Sequence, residues 1–277
     1  MNDEEGVPLM DKADRKTRLA MVSAMLTREP GKTYSLKVFC DMFGAAKSTM
    51  SEDIAILKNM FKVYGQGDIE VTLGAGGGVR FIPVISAPQR ESILTDVAEK
   101  LSDSSRILPG GYIYTVDIFS NPKYVAPMAE ILAGMFIKTN PDFVATVETK
   151  GVALALFVAR ALGKPLVIAR RDLKITEGSV VTINYLTGSS KRMMTMSLSK
   201  RAVTSGQKAL LIDDFIAGGG TVHALFEMMK EFSITVVGCG AGIVTRAPER
   251  KQIENYKALL MLEEVDPSAE EIIIRPL

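Results

Sequence analysis

Ala209-Leu210-Leu211-Ile212-Asp213-Asp214-Phe215-Ile216-Ala217-Gly218-Gly219-Gly220-Thr221-Val222 is the stretch that decides the fold. Its first four residues are apolar and read as a buried strand ending at Ile212. Two acids follow at the strand's end, where a ligand can reach them. A glycine-rich turn then exposes backbone N–H groups, and a helix is expected from about Thr221 to Phe232. A turn of this kind at a helix N-terminus is an anion site, because free N–H groups and the helix dipole both favour negative charge. Glycines without side chains let a phosphate come close to the backbone. Adjacent carboxylates can accept hydrogen bonds from the two hydroxyls of a ribose. Together the parts suit a sugar that carries a 5′-phosphate. A plain glycine-rich turn after a buried strand remains the alternative.

Around this stretch, apolar strands alternate with helical segments from about residue 90 onward. Helices are expected at Arg90 to Ser102 and Gly151 to Leu162. Strands are expected at Phe143 to Val147, Leu166 to Ala169, Thr235 to Gly240 and Ala258 to Leu262. Such alternation predicts an α/β unit, a parallel sheet with helices on both faces. Ligands in such folds sit at the carboxyl ends of the strands. Thr146-Val147-Glu148-Thr149-Lys150-Gly151 is a second strand-to-helix turn of this kind, and Lys150 would add positive charge to it. Arg170 and Arg171 lie one strand–helix unit further on. The polar stretch Asp172 to Ser199, with Tyr185 and Arg192, reads either as a mobile hood loop or as a long surface hairpin.

The N-terminal part has a different texture. Residues 1 to about 11 are polar and acidic and read as disordered. Helices are expected at Arg15 to Leu26, at Ser35 to Phe43 with Ser35 as N-cap, and from about Lys47 to Val63. Ile54, Ile56, Leu57, Met60 and Phe61 are expected on the inner face of the third. Two strands follow, Ile69 to Leu73 and Val79 to Val84, joined by the glycine-rich turn Gly74-Ala75-Gly76-Gly77-Gly78. Three helices and then a hairpin is the order of a winged helix-turn-helix, in which the last helix enters the DNA major groove and the hairpin touches the backbone. Lys47, Ser48, Thr49 and Ser51 then face the DNA, with Arg15, Lys16 and Arg18 from the first helix and Arg80 from the wing as phosphate contacts. Asp41, Glu52 and Asp53 dilute this basic surface. A helical protein-interaction module with a solvated hairpin is the other reading. The boundary between the two textures falls at residues 84 and 85, giving units 1–84 and 85–277.

Bulk composition agrees with a soluble globular chain. Of 277 residues, 47% are hydrophobic and 23% charged, and the net charge is +1, so any nucleic-acid site must be a local patch. Cys40 and Cys239 are far apart and outside any CxxC context, which fits a reducing compartment. The single histidine, His223, excludes a His-rich zinc site, and its neighbours read as a helix surface. The acidic start is unlike a signal peptide, and the longest apolar run, Ile234 to Val244, is too short to span a bilayer. A cytoplasmic protein is expected.

The run from Ala209 to Val222 resembles the signature of type I phosphoribosyltransferases, which bind 5-phosphoribosyl-1-pyrophosphate (PRPP). The order of the two units resembles the purine operon repressors of Gram-positive bacteria. So do Ala46-Lys47-Ser48-Thr49-Met50-Ser51-Glu52-Asp53, Arg106-Ile107-Leu108-Pro109-Gly110-Gly111-Tyr112 and Thr176-Glu177-Gly178-Ser179-Val180. Ile183-Asn184-Tyr185, Thr187-Gly188-Ser189-Ser190 and Met194-Thr195-Met196-Ser197-Leu198 agree as well. The likeness runs from about Arg15 to about Leu262. It implies a dimeric repressor of purine genes that binds double-stranded operator DNA and is released by PRPP.

The resemblance also implies the site. Asp213 and Asp214 would hold the ribose; Ala217, Gly218, Gly219, Gly220 and Thr221 the 5′-phosphate; and Thr149, Lys150 and Gly151 the pyrophosphate. Tyr112 and Phe215 would flank the base of guanosine tetraphosphate, a possible competitor for the same pocket. No cofactor is required, no metal site is expected, and whether Mg²⁺ travels with the ligand stays open. Many enzymes with this signature carry Thr or Ser at the position of Gly218, which contributes on the order of 1 kcal/mol to phosphate binding. Some carry a carboxylate at the position of Ala217, a general acid or base absent here. No catalytic residue is therefore assigned. A working purine phosphoribosyltransferase with an accessory domain is the alternative. An RNA-binding regulator fits less well, since aromatics are only 6% and stacking platforms are scarce.

Overall fold

The structure, a computed structural model, describes residues 13–74, 77–172, 178–186 and 193–277. The expectations for residues 1–11, for Ala75 and Gly76, and for Thr176, Glu177, residues 187–190 and Arg192 lie outside the described residues. The chain divides into two compact units, Met1–Val84 and Ile85–Leu277.

In the first unit α1 (Arg15–Arg28) starts at Asp14, whose carboxylate accepts from Thr17 N–H at 2.7 Å. α2 (Leu36–Phe43) ends at Gly44, whose φ of +57° suits a residue without a side chain. α3 (Lys47–Val63) leads to the antiparallel hairpin β1 (Asp68–Thr72) and β2 (Gly78–Ile82). Tyr34 adds a short third strand, exchanging hydrogen bonds with Val79 at 2.8 and 2.9 Å. Phe39, Met50, Ile54, Leu57, Ile69 and Phe81 fill the core between helices and hairpin. One expectation for α3 needs correction. Ile54 and Leu57 are buried and Ile56 and Phe61 half-buried, but Met60 is 47% exposed. The apolar stripe runs 50, 54, 57, 61, and Met60 lies one step off it.

A buried ion pair joins α1 to α3. Asp53 is 0% exposed, and Arg18 Nε donates to it at 2.6 Å while Arg18 Nη1 donates to Ala13 O at 2.7 Å. Removing one partner of such a pair strands the other charge in an apolar site, at a cost of about 3–5 kcal/mol.

In the second unit the order is α4 (Ala87–Leu101), β3 (Ile107–Leu108), β4 (Tyr112–Ile113), α5 (Val116–Phe119), α6 (Pro122–Phe136) and β5 (Phe143–Val147). There follow α7 (Gly151–Leu162), β6 (Leu166–Ala169), β7 (Val180–Leu186), β8 (Met193–Ser199), β9 (Lys208–Ile216) and α8 (Gly220–Glu231). β10 (Thr235–Thr245), β11 (Tyr256–Asp266) and β12 (Glu271–Pro276) complete it. Six strands form one sheet in the order β12-β11-β10-β9-β5-β6. The sheet is parallel apart from the edge strand β12, so it is mixed.

β9 is buried on both faces. Leu210 and Ile212 join the core under α4, α6 and α7, while Ala209 and Leu211 join the core under α8 and the β7–β8 hairpin. Within Asp172 to Ser199, the described residues include the antiparallel pair β7–β8, whose Met196 and Leu198 are buried in the core under α8. α6 escapes a reading by periodicity because Pro122 and Pro127 look like breakers. Pro122 stands at the helix start, where its missing N–H costs nothing, and Asn121 caps it by accepting from Lys123 N–H at 3.0 Å. α6 lies close on the sheet. A methyl group at Gly238 or Gly240 would sit 2.8 Å from the Phe136 ring, and one at Gly242 would sit 2.5 Å from Phe119.

The buried pair in the first unit gives a test. Asp53→Ala is expected to destabilise that unit by about 3–5 kcal/mol, most of a small domain's stability. Lys47→Ala, at an exposed position, is expected to change stability by less than about 0.5 kcal/mol. Urea unfolding followed by circular dichroism distinguishes the two.

Candidate functional site

A cavity of about 700 Å³ opens in the second unit at the carboxyl ends of β5 and β9. Its walls are the turn Glu148–Gly151, the run Asp213–Val222, and the segment Gly111–Ile113 with Thr115; Arg171, Thr245 and Leu262 complete the lining. All the residues singled out for ligand binding by sequence are brought together here: Tyr112, Thr149, Lys150, Gly151, Asp213, Asp214, Phe215, Ala217, Gly218, Gly219, Gly220 and Thr221.

β9 does not stop at Ile212. It continues through both acids to Ile216, pairing Asp213 with Ala241 and Phe215 with Ile243 of β10. On its other side the pairing with β5 last joins Ala145 to Leu211. The acids thus sit beyond the point where β5 stops pairing with β9, while β5 stays paired with β6 to Val147. Gly151, the first residue of α7, fills that corner. A Cβ there would lie 2.7 Å from Thr146 Oγ1 and 2.8 Å from Asp213 Oδ1, so only glycine fits.

Burial pushes the Asp213 carboxyl well above the usual carboxylate range, and the adjacent Asp214 adds to it. Burial also raises Asp214, opposed by its bond to Asp213 and by the charges of Lys150 and Arg171. Adjacent carboxylates in a site poor in water share protons, because both cannot ionise freely. Asp213 Oδ1 accepts from Asp214 N–H at 3.0 Å, which fixes its orientation.

The first turn of α8 leaves the N–H groups of Gly220, Thr221 and Val222 without an intrahelical acceptor. His223, on the exposed side of the helix, closes the first turn onto Gly219 O at 2.8 Å. Gly219 has φ +81°, and a Cβ there would also meet Ile253 at 3.1 Å. Gly218 O is held by Gln252 N–H at 2.9 Å.

Two lining residues, Glu148 and Arg171, were not singled out for binding by sequence. Glu148 Oε1 accepts from Arg171 N–H at 2.7 Å and Oε2 from Arg170 Nη1 at 3.2 Å. Burial opposes ionisation of Glu148, but these donors outweigh it and hold the carboxyl below its ordinary range. The signal for Arg171 was present in the sequence: like Gly151, it lies in the turn that follows a sheet strand.

In the first unit, Lys47 and Ser48 are exposed at the start of α3, Thr49 is half-buried, and Ser51 is exposed with its hydroxyl on Lys47 O at 2.9 Å. Arg15 is exposed but lies 3.1 Å from Glu52. Arg80 pairs across the hairpin with Glu70 at 2.5 Å. Arg18 corrects the expectation of a phosphate contact: it is buried and its guanidinium is occupied by Asp53 and Ala13 O. Lys58 and Lys62 are exposed further along α3, continuing the row of Lys47 and Ser51. The 47, 51, 58, 62 spacing marks them as candidates that sequence reasoning passed over.

Residues 14–83 match the family described as bacterial purine repressor, N-terminal, and residues 116–274 match the phosphoribosyl transferase domain. A probable purine biosynthesis transcriptional regulator of Streptococcus pneumoniae is 43% identical over 92% of this chain and 93% of its own length. The chain belongs to the purine repressor family. The purine biosynthesis transcriptional repressor of Bacillus subtilis is 36% identical over 94% of this chain and 92% of its own. The relative from Lactococcus lactis subsp. lactis, a purine biosynthesis transcriptional activator, is also 36% identical, over 91% and 93%. In fold, adenine phosphoribosyltransferase from Rhodothermus marinus matches with a TM-score of 0.52 at 20% identity, covering 62% of this chain and 99% of that one.

The acid pair gives a prediction with a definite sign. A carboxyl whose pKa is raised on folding binds its proton more tightly in the folded state. The stability it contributes is therefore present at low pH and lost as pH rises from the unfolded pKa through the folded one. Asp213→Asn removes that loss. It is expected to raise the melting midpoint of the ligand-free protein at neutral pH by roughly 2–4 °C, on the order of 1 kcal/mol. The difference should vanish in acid, as thermal melts across pH will show.

Proposed function

We propose that this protein is a DNA-binding transcription regulator of purine biosynthesis and transport genes, a repressor that PRPP releases from its operator. The observation that carries the reading is the pairing of two adjacent carboxylates, Asp214 buried and Asp213 half-buried, with the open first turn of α8 in one cavity. That cavity belongs to a chain whose other unit matches a purine repressor N-terminal domain. Asp213 and Asp214 accept from the ribose hydroxyls. The N–H groups of Ala217 to Thr221 take the 5′-phosphate. Thr149, Lys150 and Gly151, with Arg171, take the pyrophosphate. A volume of about 700 Å³ is in the range of small-molecule sites. Tyr112 and Phe215 line the same cavity and would flank the base of guanosine tetraphosphate, a competing ligand.

DNA binding is assigned to α3 through Lys47, Ser48, Thr49 and Ser51, with Lys58 and Lys62 on the same face. Arg15 and Arg80 can reach phosphate only by exchanging the acids they pair with. Two copies of the chain on a symmetric operator are the expected assembly. No helix of the described residues is long and apolar enough to cross a membrane, and the proposed place of action is the cytoplasm.

Gel shifts on DNA upstream of purine biosynthesis genes test the reading. PRPP is expected to release the protein, and Asp213→Ala with Asp214→Ala should keep DNA binding and lose the release. Release of that double variant by PRPP would overturn the ribose assignment. Lys47→Ala should weaken DNA binding and lower its salt slope by about 1. PRPP affinity should rise with pH between mildly acid and neutral conditions, because ribose hydroxyls need ionised acceptors. The named relatives include both a repressor and an activator, so transcription in vitro, with and without PRPP, reads the sign of control. Nucleotide formation from PRPP, magnesium and a purine base would favour a transferase instead.

A further inference from the structure

Tyr112 is 59% exposed, yet it stands at the wall of the cavity on the smallest element of the fold. β3 and β4 pair over only Ile107–Ile113 and Leu108–Tyr112, and Gly110 and Gly111 turn the chain at φ +86° and +73°. Two pairs of residues cannot hold a hairpin together in water. The buried Ile113 secures its base. Ile107 packs against the same core, and Tyr114 N–H donates to Arg106 O at 2.9 Å; further support comes from the Arg106 side chain. Arg106 donates from Nε to Lys100 O at 2.7 Å, and from Nη1 to Tyr114 O at 3.0 Å. Nη1 and Nη2 also grip the two oxygens of Asp117 at 2.7 and 2.8 Å. These acceptors belong to the end of α4, the exit of β4 and the first turn of α5.

We propose that Arg106, clamped by Asp117, is a positioning residue that holds the Tyr112 ring at the cavity wall, and so governs whether the site accepts a ligand bearing an aromatic base. The inference rests on the phosphoribosyl reading of the cavity and adds a selectivity to it. Phosphate and ribose are held by β9, α7 and α8, all anchored in the sheet. Only the ring of a base depends on the hairpin. The Arg106 side chain is 16% exposed, and its four bonds, two of them a bidentate grip on one carboxylate, fix the guanidinium in one place. The Arg106 guanidinium in turn holds the Asp117 carboxyl below its ordinary range, which keeps the clamp charged at neutral and mildly acid pH. Lysine cannot replace this fork: an ammonium cannot grip both carboxylate oxygens and two carbonyls from one place.

The test compares two probes that differ only by the base, guanosine 5′-monophosphate and ribose 5-phosphate, titrated by calorimetry into the full chain. Arg106→Gln should weaken the nucleotide about tenfold, the scale of one lost stacking contact, and the sugar phosphate less than about twofold. Tyr112→Ala should show the same split, and the two changes together should do no more than either alone. The chain has no tryptophan, so Tyr112→Trp supplies a single tryptophan that can be excited apart from the tyrosines, and its anisotropy should drop when Arg106→Gln is added. If Arg106→Gln fails to fold, Asp117→Asn, which loosens one arm only, carries the same comparison. Equal weakening of both probes, or an unchanged nucleotide affinity in a folded variant, overturns the clamp. A Tyr112→Ala variant that shows the split while Arg106→Gln does not would reject the clamp and leave the cavity reading standing. Failure of the unaltered protein to bind ribose 5-phosphate would overturn both.

Discussion

Asp213 and Asp214 are consecutive near the end of β9, and their carboxyl groups interact electrostatically. Both are drawn into a region poor in water, where burial and mutual repulsion favour protonation. The surrounding structure is arranged about that cost. β5 parts from β9 before the acids, leaving a corner free. α7 starts in that corner at a residue without a side chain, directing its open N-terminal turn there. Lys150 and Arg171 favour ionisation of Asp214. A ligand with vicinal hydroxyls would supply the hydrogen bonds the pair lacks, and its binding energy would offset a strain already present in the free protein.

Much of this was legible in the sequence, for identifiable reasons. β5, α7 and β6 have the bounds their apolar runs and flanking glycines suggest. Buried strands and short connections leave little freedom there. β9 runs four residues past the end of its apolar run because backbone pairing with β10 carries it through the acids. Ladder hydrogen bonds do not depend on side-chain polarity, so periodicity could not see the extension. α6 was hidden by its prolines; β12 was passed over although Ile272-Ile273-Ile274 forms a short β-branched run, and it lies at the sheet edge paired only with β11. The ligand-binding residues were recovered because they cluster in two glycine-marked turns. Glu148 and Arg171 come to the cavity through the pairing of β5 with β6, a contact between distant segments.

The N-terminal unit shows the limit of reading charge from sequence. Arg15, Arg18 and Arg80 all looked available to a phosphate, and all three meet acids of their own unit. Arg18 is the clearest case, since the acid opposite it on α3 is fully buried. A row of residues along one helix face, Lys47, Ser51, Lys58 and Lys62, is better evidence than a count of basic residues. Position on a face decides what a partner can reach.

The glycines at 238, 240 and 242 recur every second residue on β10, so all three open on one face of the strand. Phe136 lies over the first two and Phe119 over the third. The rings therefore rest in slots of bare backbone and act like a key in a lock. Phe136 is the last residue of α6, so a shift of α6 along the sheet would move its ring out of the slot made by Gly238 and Gly240. That fixes the axial setting of α6, and α7, packed against it, inherits the setting. Gly151 opens α7, so the corner with no room for a Cβ lies at the end of this same chain of contacts.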